Sequence, residues 1–334
     1  MKDFMNKLKE LIGIILTNPF LKITSPSPLA IRLFRLLVGA ALLLMYVDRH
    51  KDVSFLYGSH PFSLLPKESW AQAWLESQRP SWFFFVPDSF LAWLHGCYLI
   101  LIVVYMFSWG NRGLTLLTWL LHLYFLLRNP MVWFGADLVA NLWLMYSVLL
   151  PYAPSLFVKK LFSGFFELPT HRTIPKPHEG SSFKGLHTYD SDSWFSSRLL
   201  DRIGVLLILS HLMIIYLYTG LEKLRGATWW DGTALWYALA NSQMVVWDTT
   251  GLILNGAYWL IPVLSWLTVC FEIFFPLGVF LPKPWPWFFI VFGLLFHASI
   301  GVLMALVPFS LLMMAPYVFF PNLLRTDRNL SRVS

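Results

Sequence analysis

Eight apolar runs, at roughly 30–47, 89–108, 113–128, 136–151, 203–221, 256–281, 285–304 and 307–321, set the terms for everything else in this chain. Hydrocarbon cannot hydrogen-bond a free N–H or C=O, so a run of about 20 apolar residues crosses a bilayer only as a helix that satisfies its own backbone. The expected fold is all-α: a polytopic integral membrane bundle of about eight transmembrane helices. Several runs are short for a perpendicular span, so tilt or re-entrant geometry is allowed for. Only the residues around Val307 and Pro308 divide the last two. Composition agrees, with 57% hydrophobic and 13% charged residues where soluble domains carry about 25% charge.

The formal net charge of +7 is a question of which loops hold it, and no basic run points to nucleic acid. With the N-terminus inside, Lys2, Lys7, Lys9 and Lys22, Arg112, the basic residues of loop 151–200, Lys283 and the terminal Arg325, Arg328 and Arg332 all fall on one face. This predicts a multi-pass protein of the bacterial inner (plasma) membrane with both termini cytoplasmic. Residues 1–28 read as an interfacial amphipathic helix and a proline-rich lead-in. A cleaved signal peptide is the rival, with a short apolar core against it. Residues 29–321 form one transmembrane domain, with a polar cytoplasmic loop at 151–200, and 322–334 a cytoplasmic tail. Cys97 and Cys270 both lie within apolar runs, so neither a dithiol centre nor a metal site is expected.

Polar groups in spans are expensive, and so are the first places to look for chemistry. On the outer face these are Arg128, Asn129, Asp137, Lys223 and Asp231, with the Trp229-Trp230 pair beside them; His297 and Glu272 lie in later runs. Each has a plainer role open to it. Arg128 can snorkel at a helix end, Asp137 can cap the helix that begins there, and Glu272 can bond into the kink of Pro276. His122 and His211 stand alone on apolar faces and read as core. Lys223 extends the helical stripe Leu212, Tyr216, Thr219. It either anchors its helix at the headgroups or, kept dry, serves as a base.

Four segments, RNPMVWFGAD (128–137), YLYTGLEKLRGATWWDGTALWYAL (216–239), CFEIFFPL (270–277) and FHASIGVLMALVPFSLLMMAPYVFFP (296–321), together resemble the HTTM-type membrane domain. That is the domain that bacterial proteins share with the vitamin K-dependent gamma-carboxylases. The resemblance implies a quinol-dependent enzyme with Lys223 as general base and Asp137 and His297 as further catalytic groups. Arg128, Asn129, Tyr216, Thr219, Trp229, Trp230, Asp231 and Glu272 would contact substrate or quinol. It implies a reduced quinone of the vitamin K hydroquinone or menaquinol type as cofactor, membrane lipids as surroundings, and a peptide or small molecule on the outer face as substrate. Gly135-Ala136-Asp137 departs from the asparagine-histidine pair expected before the fourth span. The chain to Ser334 carries no large extra-membrane domain of the carboxylase kind, so carboxylation of a docked protein is not expected. The alternative is a non-catalytic membrane protein that binds a lipid, a quinone or a partner peptide in an immunity or maturation role.

Overall fold

A computed structural model of the chain describes residues 26–58, Leu64, 86–108, 111–151, 191–241 and 245–321. Most of the expected interfacial helix (1–28), most of the polar loop 151–200 and the tail 322–334 lie outside them. The only regular elements among the described residues are helices, with no strand.

The first helix, α1 (Pro28–Lys51), begins where Ser27 Oγ accepts from the Ala30 N–H at 3.2 Å, with proline in the first turn. It ends on Arg49, His50 and Lys51, cations placed at its carbonyl end. A single turn, α2 (Val53–Tyr57), follows. Next come α3 (Asp88–Met106) and α4 (Arg112–Arg128), the latter capped by Asn111 Oδ1 on the Leu114 N–H at 3.1 Å. The turn after Arg128 leads into α5 (Gly135–Ser147). Helix α6 (Ser191–Lys223) runs 33 residues and is followed by the short helices α7 (Ala227–Trp230) and α8 (Ala234–Leu239). The chain closes with α9 (Leu260–Gly278), α10 (Trp285–Leu303) and α11 (Val307–Met314), which continues as a 3₁₀ segment over Ala315–Phe319.

Five of these helices are long and apolar enough to cross a membrane: α1, α3, the Leu199–Lys223 part of α6, α9 and α10. The runs expected at 113–128, 136–151 and 307–321 form helices of 17, 13 and 8 residues. At 1.5 Å per residue α5 covers only about 20 Å, short of a hydrocarbon layer about 30 Å thick. Five of the eight expected spans thus have the length, and the rest form shorter helices packed among them.

Helix α1 is central. Phe34, Val38, Leu42 and Tyr46 follow one another at helical spacing and are all buried, in contact with α3, α11 and the 3₁₀ segment. A second interface joins α6 and α9, where Gly220 lies so close to Glu272 and Ile273 that an added Cβ would stand 2.8 Å from Ile273 Cγ1. Helix α11 is tied to α5 through a backbone defect: Pro316 has no N–H to offer the Leu312 carbonyl, and Trp143 Nε1 donates to it instead at 2.9 Å. Trp143→Phe is therefore expected to cost about 1–3 kcal/mol by leaving a buried acceptor empty, read as a lower midpoint of thermal unfolding in detergent. Adding Pro316→Ala should return part of it.

Candidate functional site

Helix α6 does not stop at the edge of the bundle. Because Gly220 packs on Glu272, the last turn of α6 lies beside the middle of α9, with Glu272 about 18 Å along that helix from Leu260. The chain then returns along the first half of α9. Trp230 packs edge-on against Trp266 at 5.4 Å, and Ser265 Oγ donates to the Gly232 carbonyl at 3.1 Å while accepting from the Leu235 N–H. Gly232, at φ +78°, sits where a Cβ would strike Pro262. Lys223 is thereby turned toward α9, while Glu222 and Arg225 of the same stretch stay exposed.

In that position Lys223 Nζ donates to Glu272 Oε2 at 2.7 Å, with side chains 22% and 7% exposed. The Trp229 ring covers the amine at 5.4 Å, and the Thr219 hydroxyl, bonded to the Ile215 carbonyl at 2.9 Å, also reaches the Glu272 carboxylate. Glu272 is therefore an ion-pair partner and not, as its place before Pro276 suggested, a carboxyl bonded into its own helix. Arg225 is exposed and paired with Glu222 at 2.8 Å. Lys223 is thus one half of an ion pair, with Nζ engaged as a donor to the carboxylate.

Behind the ion pair runs a buried chain of aromatic hydroxyls. Tyr216 Oη lies 2.6 Å from His297 Nε2 and 2.8 Å from Tyr317 Oη. His297 Nδ1 is buried with no partner among the described residues. The Tyr317 hydroxyl fills the space above Gly293, where a Cβ would be 1.9 Å from it. Gly293→Ala is accordingly expected to push Tyr317 out of this chain at a cost of about 1–3 kcal/mol, and Tyr317→Phe in the same protein should restore part of the lost thermal stability, since the ring carbon at 2.7 Å remains.

Asp137 belongs to a second polar cluster. It is fully buried and takes two bonds from Arg49, at 2.7 Å and 2.8 Å, while its Oδ2 also accepts from the Phe134 N–H at the start of α5. Around it His122 accepts from Tyr98 at 2.9 Å and Tyr46 at 3.2 Å through Nδ1, and donates through Nε2 to the Asp137 carbonyl. His50 and His95 meet at 3.1 Å. Burial pushes the phenol of Tyr57, beyond the end of α1, up to about 12. Arg128 and Asn129 serve this side of the molecule too: Arg128 Nε donates to the Tyr57 carbonyl at 2.6 Å, and Asn129 Nδ2 to the Leu56 carbonyl. The structure thus brings Lys223, Glu272, Thr219, Tyr216, His297 and Trp229 together and places Asp137, Arg128 and Asn129 in contacts of their own.

Arg49 and Tyr317 are the residues that sequence reasoning passed over. Arg49 reads as one of three cations ending a helix, and Tyr317 as one more ring in an aromatic run. Asp231 is exposed, its carboxyl held below the ordinary value by hydrogen bonds from Thr233, and it lines a wide surface cleft of about 510 Å³ with Trp236, Tyr258 and Trp259. A narrower cleft of about 130 Å³ lies between α8, α9 and α10, walled by Leu235, Leu239, Leu267, Thr268, Phe292 and Phe296. Lys223 lines neither. No three His, Cys, Asp or Glu side chains stand together as metal ligands among the described residues.

The outward side chains of the long helices are apolar, among them Ile100, Leu277, Phe288, Val291, Leu295 and Val302. A surface of that kind on five helices of spanning length defines a multi-pass membrane protein. Compared with models of known families, with curated proteins and with solved structures, the chain matches none.

Proposed function

We propose that this is a gamma-carboxylase-like protein of the HTTM kind, inserted with both termini cytoplasmic and its shorter helices completing an eight-helix arrangement. It would use the Lys223–Glu272 couple to move a proton at a quinol-type ligand on behalf of a peptide or small substrate. What carries the reading is the couple itself: an amine and a carboxylate bonded at 2.7 Å inside an apolar bundle. Three of the four segments that resemble the family, 216–239, 270–277 and 296–321, supply the groups that meet there. The apolar cleft between α8, α9 and α10 has walls suited to an isoprenoid chain, with Thr268 one turn from Glu272 on the same helix.

A reduced quinone would supply an acidic hydroxyl. The protein's part follows from the environment of the pair. Lys223 is only 22% exposed, and an apolar ligand that covers it removes the solvation that keeps two charges apart in energy from two neutral groups. An Nζ–H bond then breaks and an Oε2–H bond forms within the existing hydrogen bond, which leaves a lone pair on Lys223 to take a proton from the ligand. In lipid nanodiscs, Lys223→Ala should abolish oxygen-dependent oxidation of menaquinol-4 while the protein still runs as a folded species; full activity in that variant would remove the proposal. The tightness of the pair favours a second reading, a non-catalytic protein that binds lipid, quinone or partner peptide. That reading gains if purified protein retains quinone, identified by mass spectrometry, with no turnover.

A further inference from the structure

The Tyr317, Tyr216, His297 chain has a direction, and the direction decides what His297 can do. A neutral imidazole carries its proton on one nitrogen and offers a lone pair on the other, whereas a phenol donates once. Suppose Tyr317 donates to Tyr216, and Tyr216 to His297 Nε2, across the contacts of 2.8 Å and 2.6 Å. Both hydroxyl protons are then used, and the ring proton sits on Nδ1. In the reverse sense Nε2–H donates to Tyr216 and Tyr216 to Tyr317. The Tyr317 proton is then left without an acceptor, and Nδ1 without a donor. The first arrangement leaves one buried polar group unmatched and the second leaves two, so the first is favoured.

Its one unmatched group is the Nδ1–H of His297, a residue 2% exposed, with the rings of Phe296 and Phe309 at 5.1 Å and 5.9 Å and Lys223 within electrostatic range. From this geometry we infer that Tyr216, bonded in turn to Tyr317, is the positioning residue that fixes His297 as the Nδ1–H tautomer, and that this N–H is the donor for a carbonyl or similar oxygen acceptor on an apolar ligand. Gly293 takes part by leaving room for the Tyr317 hydroxyl that starts the chain. The ligand half rests on the quinol reading above; the tautomer half does not.

The test is solid-state NMR of protein labelled with ¹⁵N-histidine in phosphatidylethanolamine/phosphatidylglycerol liposomes, with the His297 signals assigned by their loss in His297→Gln. The native protein should show a protonated Nδ1 and a bare Nε2, and Tyr216→Phe should convert most of the ring to the Nε2–H form. If Tyr216→Phe does not fold, the tautomer of the native protein decides by itself, and Tyr317→Phe, in which Tyr216 can still donate to Nε2, should keep the Nδ1–H form. A native Nε2–H tautomer, an Nδ1–H form unmoved in folded Tyr216→Phe, or its loss in folded Tyr317→Phe overturns the inference. Menaquinone-4 should then shift the Nδ1–H resonance, and squalene, which has no oxygen, should not. Quinone that stays with the protein without moving that resonance overturns the ligand half. If no quinone is retained while the tautomer is as stated, the quinol reading fails and the ligand half falls with it.

Discussion

Glu272→Leu is expected to destabilise the protein by about 3 kcal/mol, the lower end of the cost of stranding a buried charge, and to be largely rescued by Lys223→Met. The single substitution leaves the Lys223 amine without its carboxylate beside an apolar helix. Lys223 is 22% exposed, so part of the loss is relieved as the side chain turns toward water. The double variant replaces both ends of the pair by apolar groups of similar length, which in buried ion pairs is often neutral or better. A thermal-unfolding cycle on the four proteins, followed by size-exclusion fluorescence in detergent, reads the coupling directly. Additive losses would mean that the two side chains do not act as a pair.

Arg49→Met should be costlier still, at about 4 kcal/mol, because Asp137 is wholly buried and has no route to water. Its carboxylate would retain only the Phe134 N–H of its present partners. Arg49→Met with Asp137→Leu should regain most of the stability but not all of it, since the double change also removes the bond to Phe134 at the head of α5. Equal stability of Arg49→Met and the parent protein would mean that the Asp137 carboxyl is not held as a charged group.

Most of the helical architecture is written along one dimension of the chain. Apolar runs with proline or asparagine at their starts become helices whatever they touch, and so the bounds of α1, α3, α4 and α10 follow from composition and these starting residues. Which polar group meets which is a property of helix packing, and there the chain is less explicit. Lys223 and Glu272 are 49 residues apart, and each has a sufficient local explanation, a snorkelling helix end for one and a proline kink for the other. The signal that joins them is Gly220, whose missing side chain lets α6 close on α9. Asp137 was legible as a helix-start residue, and it does accept the Phe134 N–H; the Arg49 contact comes from 88 residues away and leaves no local trace. The turn back along α9 after Lys223 was missed for another reason. Trp229, Trp230 and Asp231 have the composition of an interface, and that composition carries no signal for the packing of Trp230 on Trp266 or for its N–H on the Leu224 carbonyl.

Everything said of function turns on whether the proton between Lys223 and Glu272 moves when an apolar hydroxyl compound arrives. Infrared difference spectroscopy of the protein in liposomes, before and after addition of menaquinol-4, observes this without reference to any product. A protonated-carboxyl band should appear on binding and be absent in Glu272→Gln. Bound menaquinol with no such band, or the same band in Glu272→Gln, would contradict it.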